Sequence, residues 1–431
     1  MTAEITIMNA SAIAMAADSA VTIGNGKEQK IYNSVNKLFT LSKCHPVGVM
    51  IYGSAELMTV PWETIIKIYR KNLGRRKFSY IKEYADDFLK FIEKNNVLFP
   101  KKLQEGFCFN AIGGYFNELI KQEIDDKIKK INPAPRLASQ IENEIKQIII
   151  DAIKKRYDEL IAKKYLQGMS RSYEILIRKK YAKFVNKVIG DVFQKLPISK
   201  AANRQLHEIA VCIITRDIFS DALSGLVIAG FGEKEHFPTM VSYEINLILN
   251  NKLKYRPFKS FTISNSNNSC ITPFAQGEMV ATFMEGVDPS LNFYYDSYLT
   301  ALFDKYPDII VDNVSKLNAQ EKSDLRKKLK DMGLNMFKDY EKQIIAYKRK
   351  FHVDPILNAV GALPKDELAA MAESLVHLTS LKRKISLSAE TVGGPIDVAV
   401  ISKGDGFVWI KRKHYFKAEL NQHFMVDYYN R

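Results

Sequence analysis

A threonine at position 2, an aspartate at 18, a lysine at 37 and a glycine at 53 form the strongest chemical pattern in this chain. Cellular aminopeptidases remove an initiator Met when the second residue is small. Thr2 then carries a hydroxyl and a free α-amine on one residue. A terminal amine titrates near about 8, so it can act as a general base at neutral pH. Pairing a threonine hydroxyl with its own amine is an established way to activate that nucleophile. A buried lysine beside the amine lowers its pKa by like-charge repulsion, and an aspartate can hold that lysine in place. A glycine offers an unobstructed backbone N–H to a developing oxyanion. Met-Thr alone is common; the chemistry lies in the four residues together.

Two hairpins must position them. Ile5 and Ile7 alternate with Thr6, Asn9-Ala10-Ser11 makes a turn, and Ala12–Ala17 is small and apolar. This first hairpin returns Asp18 to the side of Thr2. A polar loop with Gly24, Asn25 and Gly26 follows. Lys37–Thr40 and Val47–Tyr52 form the second hairpin around Lys43–Pro46, so Lys37 opens it and Tyr52-Gly53-Ser54-Ala55 closes it. Trp62–Arg70 begins an amphipathic helix. Bland roles compete for each residue: Asp18 as a turn cap, Lys37 as a solvated strand end, Gly53 as a turn glycine, Ile51 as core.

Downstream, residues from about Phe116 to Lys200 read as long helix, broken at Pro133 and Pro135. Ile141, Ile145, Ile148, Ile149 and Ala152 line one helical face. Strand character returns in Ile209–Thr215, Gly225–Phe231 and Thr239–Ile245, and Asn265–Ser269 is a polar loop. Ser315–Arg349 is a charged helical block. Pro364–Lys384 has helix-start chemistry in Pro364, Asp366 and Glu367. Ile396–Ile401 and Gly406–Lys411 form a closing hairpin across Lys403-Gly404-Asp405-Gly406. The order predicts a mixed α/β layered domain with helical insertions. No GxGxxG or GxxxxGK[ST] is present, which removes support for nucleotide-cofactor folds.

The 431 residues are 46% hydrophobic and 26% charged, enough for a sizeable core. Cys44, Cys108, Cys212 and Cys270 lack disulfide or zinc spacing, which fits a reducing cytoplasm. No segment approaches a membrane span, and the start, with Glu4 and Asp18, lacks the layout of a signal peptide. The formal charge is +15. Residues 121–200 hold 19 Lys and Arg against 10 Asp and Glu, and a solvated helical face explains that better than a nucleic-acid groove. Trp409 and Tyr415 near Lys411, Arg412 and Lys413 read more simply as an amphipathic edge strand. The seven histidines pair with no motif Ser or Cys.

Thr2, Ala17-Asp18-Ser19, Lys37-Leu38-Phe39 and Gly48–Ala55 resemble the proteasome β-subunit family and its HslV-type relatives, N-terminal-nucleophile (Ntn) threonine hydrolases. The sixteen residues between Thr2 and Asp18 match that family's spacing. Ser224–Phe231, Pro238–Tyr243, Pro364–Lys384 and Gly393–Val398 resemble its later strands and last helix. Departures are Ala20 where Arg is frequent, Gln276-Gly277 where Ser-Gly is usual, and Ala389 and Val392 at the supporting Asp and Ser positions, with Glu390 and Thr391 nearby.

The resemblance implies a four-layer αββα sandwich of antiparallel sheets. The core would comprise residues 1–112, 208–289 and 363–431, with helical insertions at 113–207 and 290–362. It implies amide-bond cleavage in peptides or proteins by Thr2, with Asp18, Lys37 and Gly53 in support and Ile51, Tyr52 and Ala55 at substrate-binding positions. No metal or organic cofactor is implied; a homo-oligomer or ring and an ATPase partner are. The alternatives are a non-catalytic scaffold or binding subunit of the same fold, a basic protein binding nucleic acid or an acidic partner, and an amidase acting on small molecules.

Overall fold

The computed structural model describes residues 2–23, 30–131, 138–194, 196–220, 223–385, 392–414, 416–423 and 425–426. The alternation around Ile5 and Ile7 forms strand β1 (Ala3–Asn9), and the small apolar run forms β2 (Ala12–Ala17). They pair antiparallel with Glu4 opposite Ala17. Asn9 Oδ1 accepts from Ser11 N at 2.9 Å and holds the turn, as Asx residues do.

The second hairpin joins β3 (Leu38–Thr40) to β4 (Val47–Gly53). Six long helices follow: α1 (Trp62–Leu73), α2 (Ile81–Lys94), α3 (Lys101–Leu119), α4 (Ala138–Ile161), α5 (Arg171–Val192) and α6 (Lys200–Thr215). Strands β5 (Ser224–Gly230), β6 (Thr239–Leu249), β7 (Lys252–Thr262) and β8 (Ser269–Ala275) come next. Helices α7 (Glu278–Glu285), α8 (Pro289–Asp312), α9 (Ala319–Lys348), α10 (Asp354–Ala362) and α11 (Lys365–Ile385) precede the last hairpin, β9 (Asp397–Ser402) and β10 (Gly406–Lys411).

The strands make two five-stranded antiparallel sheets, ordered β8-β1-β2-β9-β10 and β7-β6-β5-β4-β3. Alternation along each strand sends neighbouring side chains to opposite faces. Met8, Ile13 and Met15 meet Leu38, Met50 and Val227 in a core between the sheets. Ile5, Ile7, Ala14 and Val398 pack outward on Leu368, Ala372 and Val376 of α11. Val49, Ile51 and Ile228 pack outward on Trp62, Ile66 and Phe88, in a cluster that continues into α3–α6. The fold is thus mixed α/β with antiparallel sheets and helices on outer faces.

Two expectations change. Residues 209–215 are the end of α6, not a strand, and all seven are buried. A helix buried on every side loses the 3.6-residue alternation, so its apolar run mimics a core strand. Strands β7 and β8 had no counterpart in the sequence reading. β7 is an edge strand carrying Lys252, Lys254, Lys259 and Pro257, the residue types that natural edges use and strand patterns lack. The Gly24–Gly26 loop and Pro133 and Pro135 lie outside the described residues. No described helix is long and apolar enough to cross a membrane.

Candidate functional site

Strand β1 sends Ala3, Ile5 and Ile7 toward the α11 side, leaving Thr2, Glu4 and Thr6 on the face toward the second sheet. Thr6 Oγ donates to Met240 Sδ at 3.1 Å across that space. Thr2 Oγ donates to Glu4 Oε2 at 3.0 Å. Lys37 stands just before β3, where its carbonyl accepts from Ile51 N at 2.9 Å. Its ammonium donates to Asp18 Oδ1 at 2.5 Å and lies 3.2 Å from Glu4 Oε1. That second contact is an ion pair without hydrogen-bond alignment.

Asp18 is fixed by backbone donors, as a buried carboxylate must be. Its Oδ1 accepts from Ala3 N at 3.1 Å, and its Oδ2 from Gly393 N at 3.0 Å and Ala20 N at 3.4 Å. Thr2, Glu4, Asp18 and Lys37 are each at most 2% exposed. The structure therefore joins Thr2, Asp18 and Lys37 through Glu4, a residue the sequence reading did not single out. The available signal was the one charged residue in strand β1, whose other residues are apolar or uncharged.

The cluster holds two carboxylates and one ammonium, all of them buried. Burial pushes the Glu4 carboxyl up to about 7, and the Asp18 charge adds to the rise; Lys37 and the Thr2 hydroxyl oppose it. A second pair, a buried acid and a partly buried lysine, adjoins. Asp397, opposite Ala17, accepts from Lys413 N at 2.8 Å and pairs with Lys413 Nζ. Burial lowers the Lys413 pKa, Asp397 opposes that, and Lys37 lowers it further. In the sequence Asp397 stood out only as part of the Gly393–Val398 strand entry, and Lys413 only as one of the basic residues of an edge strand.

Gly53 ends β4 opposite Ser224, exposed, at φ +74°. A Cβ there would lie 2.6 Å from the Leu223 carbonyl, so this backbone requires glycine. Ile51 belongs to the helix-facing core with Trp62. Tyr52 packs on Phe274 at 5.3 Å, and its buried hydroxyl has no hydrogen-bond partner. Ala55 accepts from Trp62 N at 3.0 Å.

Gln276 reaches the site after all: its N–H donates to the Thr2 carbonyl at 3.2 Å, and its side-chain carbonyl accepts from Arg383 Nε at 2.6 Å. Val392 is buried, while Ala389, Glu390 and Thr391 lie outside the described residues. Among the described residues no group of three or more His, Cys, Asp or Glu is placed to hold a metal ion. What the arrangement offers is a hydroxyl in contact with a carboxyl whose pKa burial raises, and an ammonium clamped between two acids.

No protein-family model matches the chain, and no curated protein matches it. Solved structures do. Anbu (ancestral beta-subunit) from Yersinia bercovieri is 9% identical, with 99% of this chain and 95% of that one covered, at a TM-score of 0.27. A Gly-1 mutant of Anbu from Hyphomicrobium sp. strain MC1 is 9% identical over 100% and 96%, at 0.24. A helical assembly of the Anbu complex from Pseudomonas aeruginosa is 8% identical over 99% and 94%, at 0.27. These neighbours correct the resemblance drawn from the sequence: they are Anbu proteins, proteasome-like but distinct from the proteasome β-subunit and HslV-type family. At such identities and TM-scores they carry nothing about activity to this chain.

Proposed function

We propose that this chain is an Ntn hydrolase of proteasome-like fold that cuts amide bonds in peptides or proteins, with Thr2 as nucleophile once Met1 is removed. The observation that supports it is the contact of the Thr2 hydroxyl with a buried Glu4–Lys37–Asp18 cluster. A charge cluster that costly to bury is more often kept for chemistry than for stability. In the proposed reaction Thr2 Oγ attacks the substrate carbonyl carbon and its proton passes to the Thr2 amine. The amine then returns that proton to the leaving nitrogen, and water hydrolyses the resulting ester. Lys37 keeps the amine neutral by repulsion, Asp18 anchors Lys37, Glu4 orients the hydroxyl, and the Gly53 N–H stabilises the oxyanion.

This function goes with a four-layer αββα core formed by residues 1–112, 208–289 and 363–431, with 113–207 and 290–362 as insertions. Ile51, Tyr52 and Ala55 flank the substrate in this scheme. A cytoplasmic self-associating assembly suits it, and size-exclusion chromatography with light scattering would report its size. The decisive test is N-terminal mass spectrometry followed by mapping of an epoxyketone or β-lactone adduct. An adduct on Thr2 is expected; retained Met1, or an adduct elsewhere, would sink the proposal.

A second role, a non-catalytic scaffold of the same fold, is favoured by one observation. Gln276, at the position where the sequence comparison called for a serine, sits against Thr2 with its side chain held by Arg383. A chain lacking Met1 that still forms no adduct would favour that role.

A further inference from the structure

Helices α8 and α9 form an antiparallel hairpin. Near the connecting loop Arg326 pairs with Asp308 at 2.7 Å and Asp312 at 2.9 Å, and at the far end Lys348 donates to Asn292 at 2.7 Å. Between them Lys330 pairs with Asp304 at 3.1 Å, and Phe303 lies against Gly333, where an added Cβ would fall 3.3 Å from it. Asp296 accepts from Asn292 at 3.0 Å, so all four carboxylates of α8 have partners inside the hairpin. A different face of α8 is bare. Leu291, Tyr294, Tyr298, Leu302, Tyr306 and Ile309 recur every three or four residues, which places them on one stripe. Each is between 43% and 63% exposed. Tyr295 and Lys305 border the stripe, and no acid lies on it. Tyr294 and Tyr298 stack with ring centroids 6.5 Å apart. At about 150–250 Å2 per aromatic side chain, the four half-open tyrosines leave roughly 450 Å2 uncovered, and the aliphatics bring the stripe to roughly 700 Å2. Monomers seldom expose apolar patches beyond about 300–600 Å2, and each partner in a stable interface contributes about 800 Å2.

The order of residues along the stripe identifies the partner. Counted outward from Thr300, it reads nearly the same in both directions. Tyr298 and Leu302 stand at equal distances on either side, as do Tyr295 and Lys305, Tyr294 and Tyr306, and Leu291 and Ile309. An antiparallel copy of α8, laid on the stripe about a two-fold axis level with Thr300, therefore matches aliphatic with aliphatic at the ends. It matches tyrosine with tyrosine further in and tyrosine with leucine at the centre, and it brings a lysine level with each Tyr295 ring. A two-fold interface needs this self-complementarity, because residue i meets j while j meets i. Tyrosine enrichment and the absence of acids are also what the core of an interface shows. We propose that α8 is the contact between two copies of this chain, paired antiparallel along this stripe. The pairing does not depend on any role for Thr2.

The test is sedimentation equilibrium of the full chain at micromolar concentration, with circular dichroism to follow the fold. The wild type should contain an even number of chains. Tyr298→Glu/Leu302→Glu crowds like charges at the axis and should halve that number, raising the dissociation constant of the pair by about tenfold or more. Tyr298→Glu/Leu302→Lys sets each acid level with a lysine of the other copy and should recover most of the pairing. Phe293→Glu is the control, because Phe293 is 74% exposed on the opposite side of α8 and its substitution should leave the pair intact. Should the double glutamate variant fail to fold, Leu302→Lys alone serves, with a severalfold loss expected. A monomeric wild type overturns the proposal and leaves the stripe to another protein or a membrane surface. An assembly indifferent to Tyr298→Glu/Leu302→Glu overturns it as well, since some other face then holds the copies. Weak pairing that Tyr298→Glu/Leu302→Lys does not recover overturns the antiparallel register.

Discussion

Lys37 and Glu4 come from different sheets, and their side chains meet at 3.2 Å, with Asp18 on the other side of the ammonium at 2.5 Å. All three are withdrawn from water. Taking ions out of water costs several kcal/mol each, and only close pairing and good hydrogen bonds offset it. Asp18 meets that condition with three backbone donors. Glu4 meets it less well, and its raised pKa is the result.

Replacing Lys37 by Met should therefore strand two buried carboxylates. A loss of about 3–5 kcal/mol in unfolding free energy is expected from urea denaturation. Adding Glu4→Gln should restore part of it. A Lys37→Met chain as stable as the wild type would show that the pairing contributes little.

The pH dependence has a definite sign. Glu4 titrates at about 7 in the folded chain against 4.5 as its ordinary value, so the folded state binds more protons between those values. Its contribution is fully present below about 4.5 and is lost as pH rises through about 7, to an extent on the order of 3 kcal/mol. Glu4→Gln should remove that slope. Unfolding free energies of the two proteins at several pH values between the two limits decide it, and parallel curves would contradict the raised pKa.

Thr2→Ala and Thr2→Ser separate chemistry from folding. Hydrolysis of fluorogenic peptides should fall by about a thousandfold or more in the alanine variant and be partly kept in the serine variant, because only serine retains a hydroxyl beside the amine. Equal rates in wild type and Thr2→Ala would exclude the proposed nucleophile.

Gly53→Ala places a Cβ at φ +74°, 2.6 Å from the Leu223 carbonyl. The left-handed backbone alone costs about 1–2 kcal/mol, and the close contact adds to it. A drop in Tm is expected, and with it a loss of hydrolysis if the Gly53 N–H faces the oxyanion. Gly225→Ala should lower Tm too, because its Cβ would fall 2.0 Å from Tyr52 ring atoms.

Residues close in sequence could be read directly. The alternation of Ile5 and Ile7, the Asn9 turn and the small run to Ala17 dictate the first hairpin through local sterics and turn hydrogen bonds. The same holds for the hairpins at 38–53 and 397–411. These bring Asp18 back to Ala3, whose N–H binds its carboxylate at 3.1 Å. The family likeness read from those residues was less secure, since short motifs are shared among distinct proteasome-like families.

Only the tertiary structure decided the rest, because it depends on contacts across long stretches of chain. Pairing of β8 with β1 carries Gln276 to Thr2 from the far half of the molecule. Stacking of the two sheets turns Glu4 from a surface-type residue into a buried acid. Pairing of β9 with β2 sets Asp397 and Lys413 beside the Thr2 cluster. The apolar run 209–215 became helix because it is enclosed on all sides, a condition no local pattern encodes. Local geometry is written in neighbouring residues; burial, and with it the pairing of the charges in this site, exists only once the layers close.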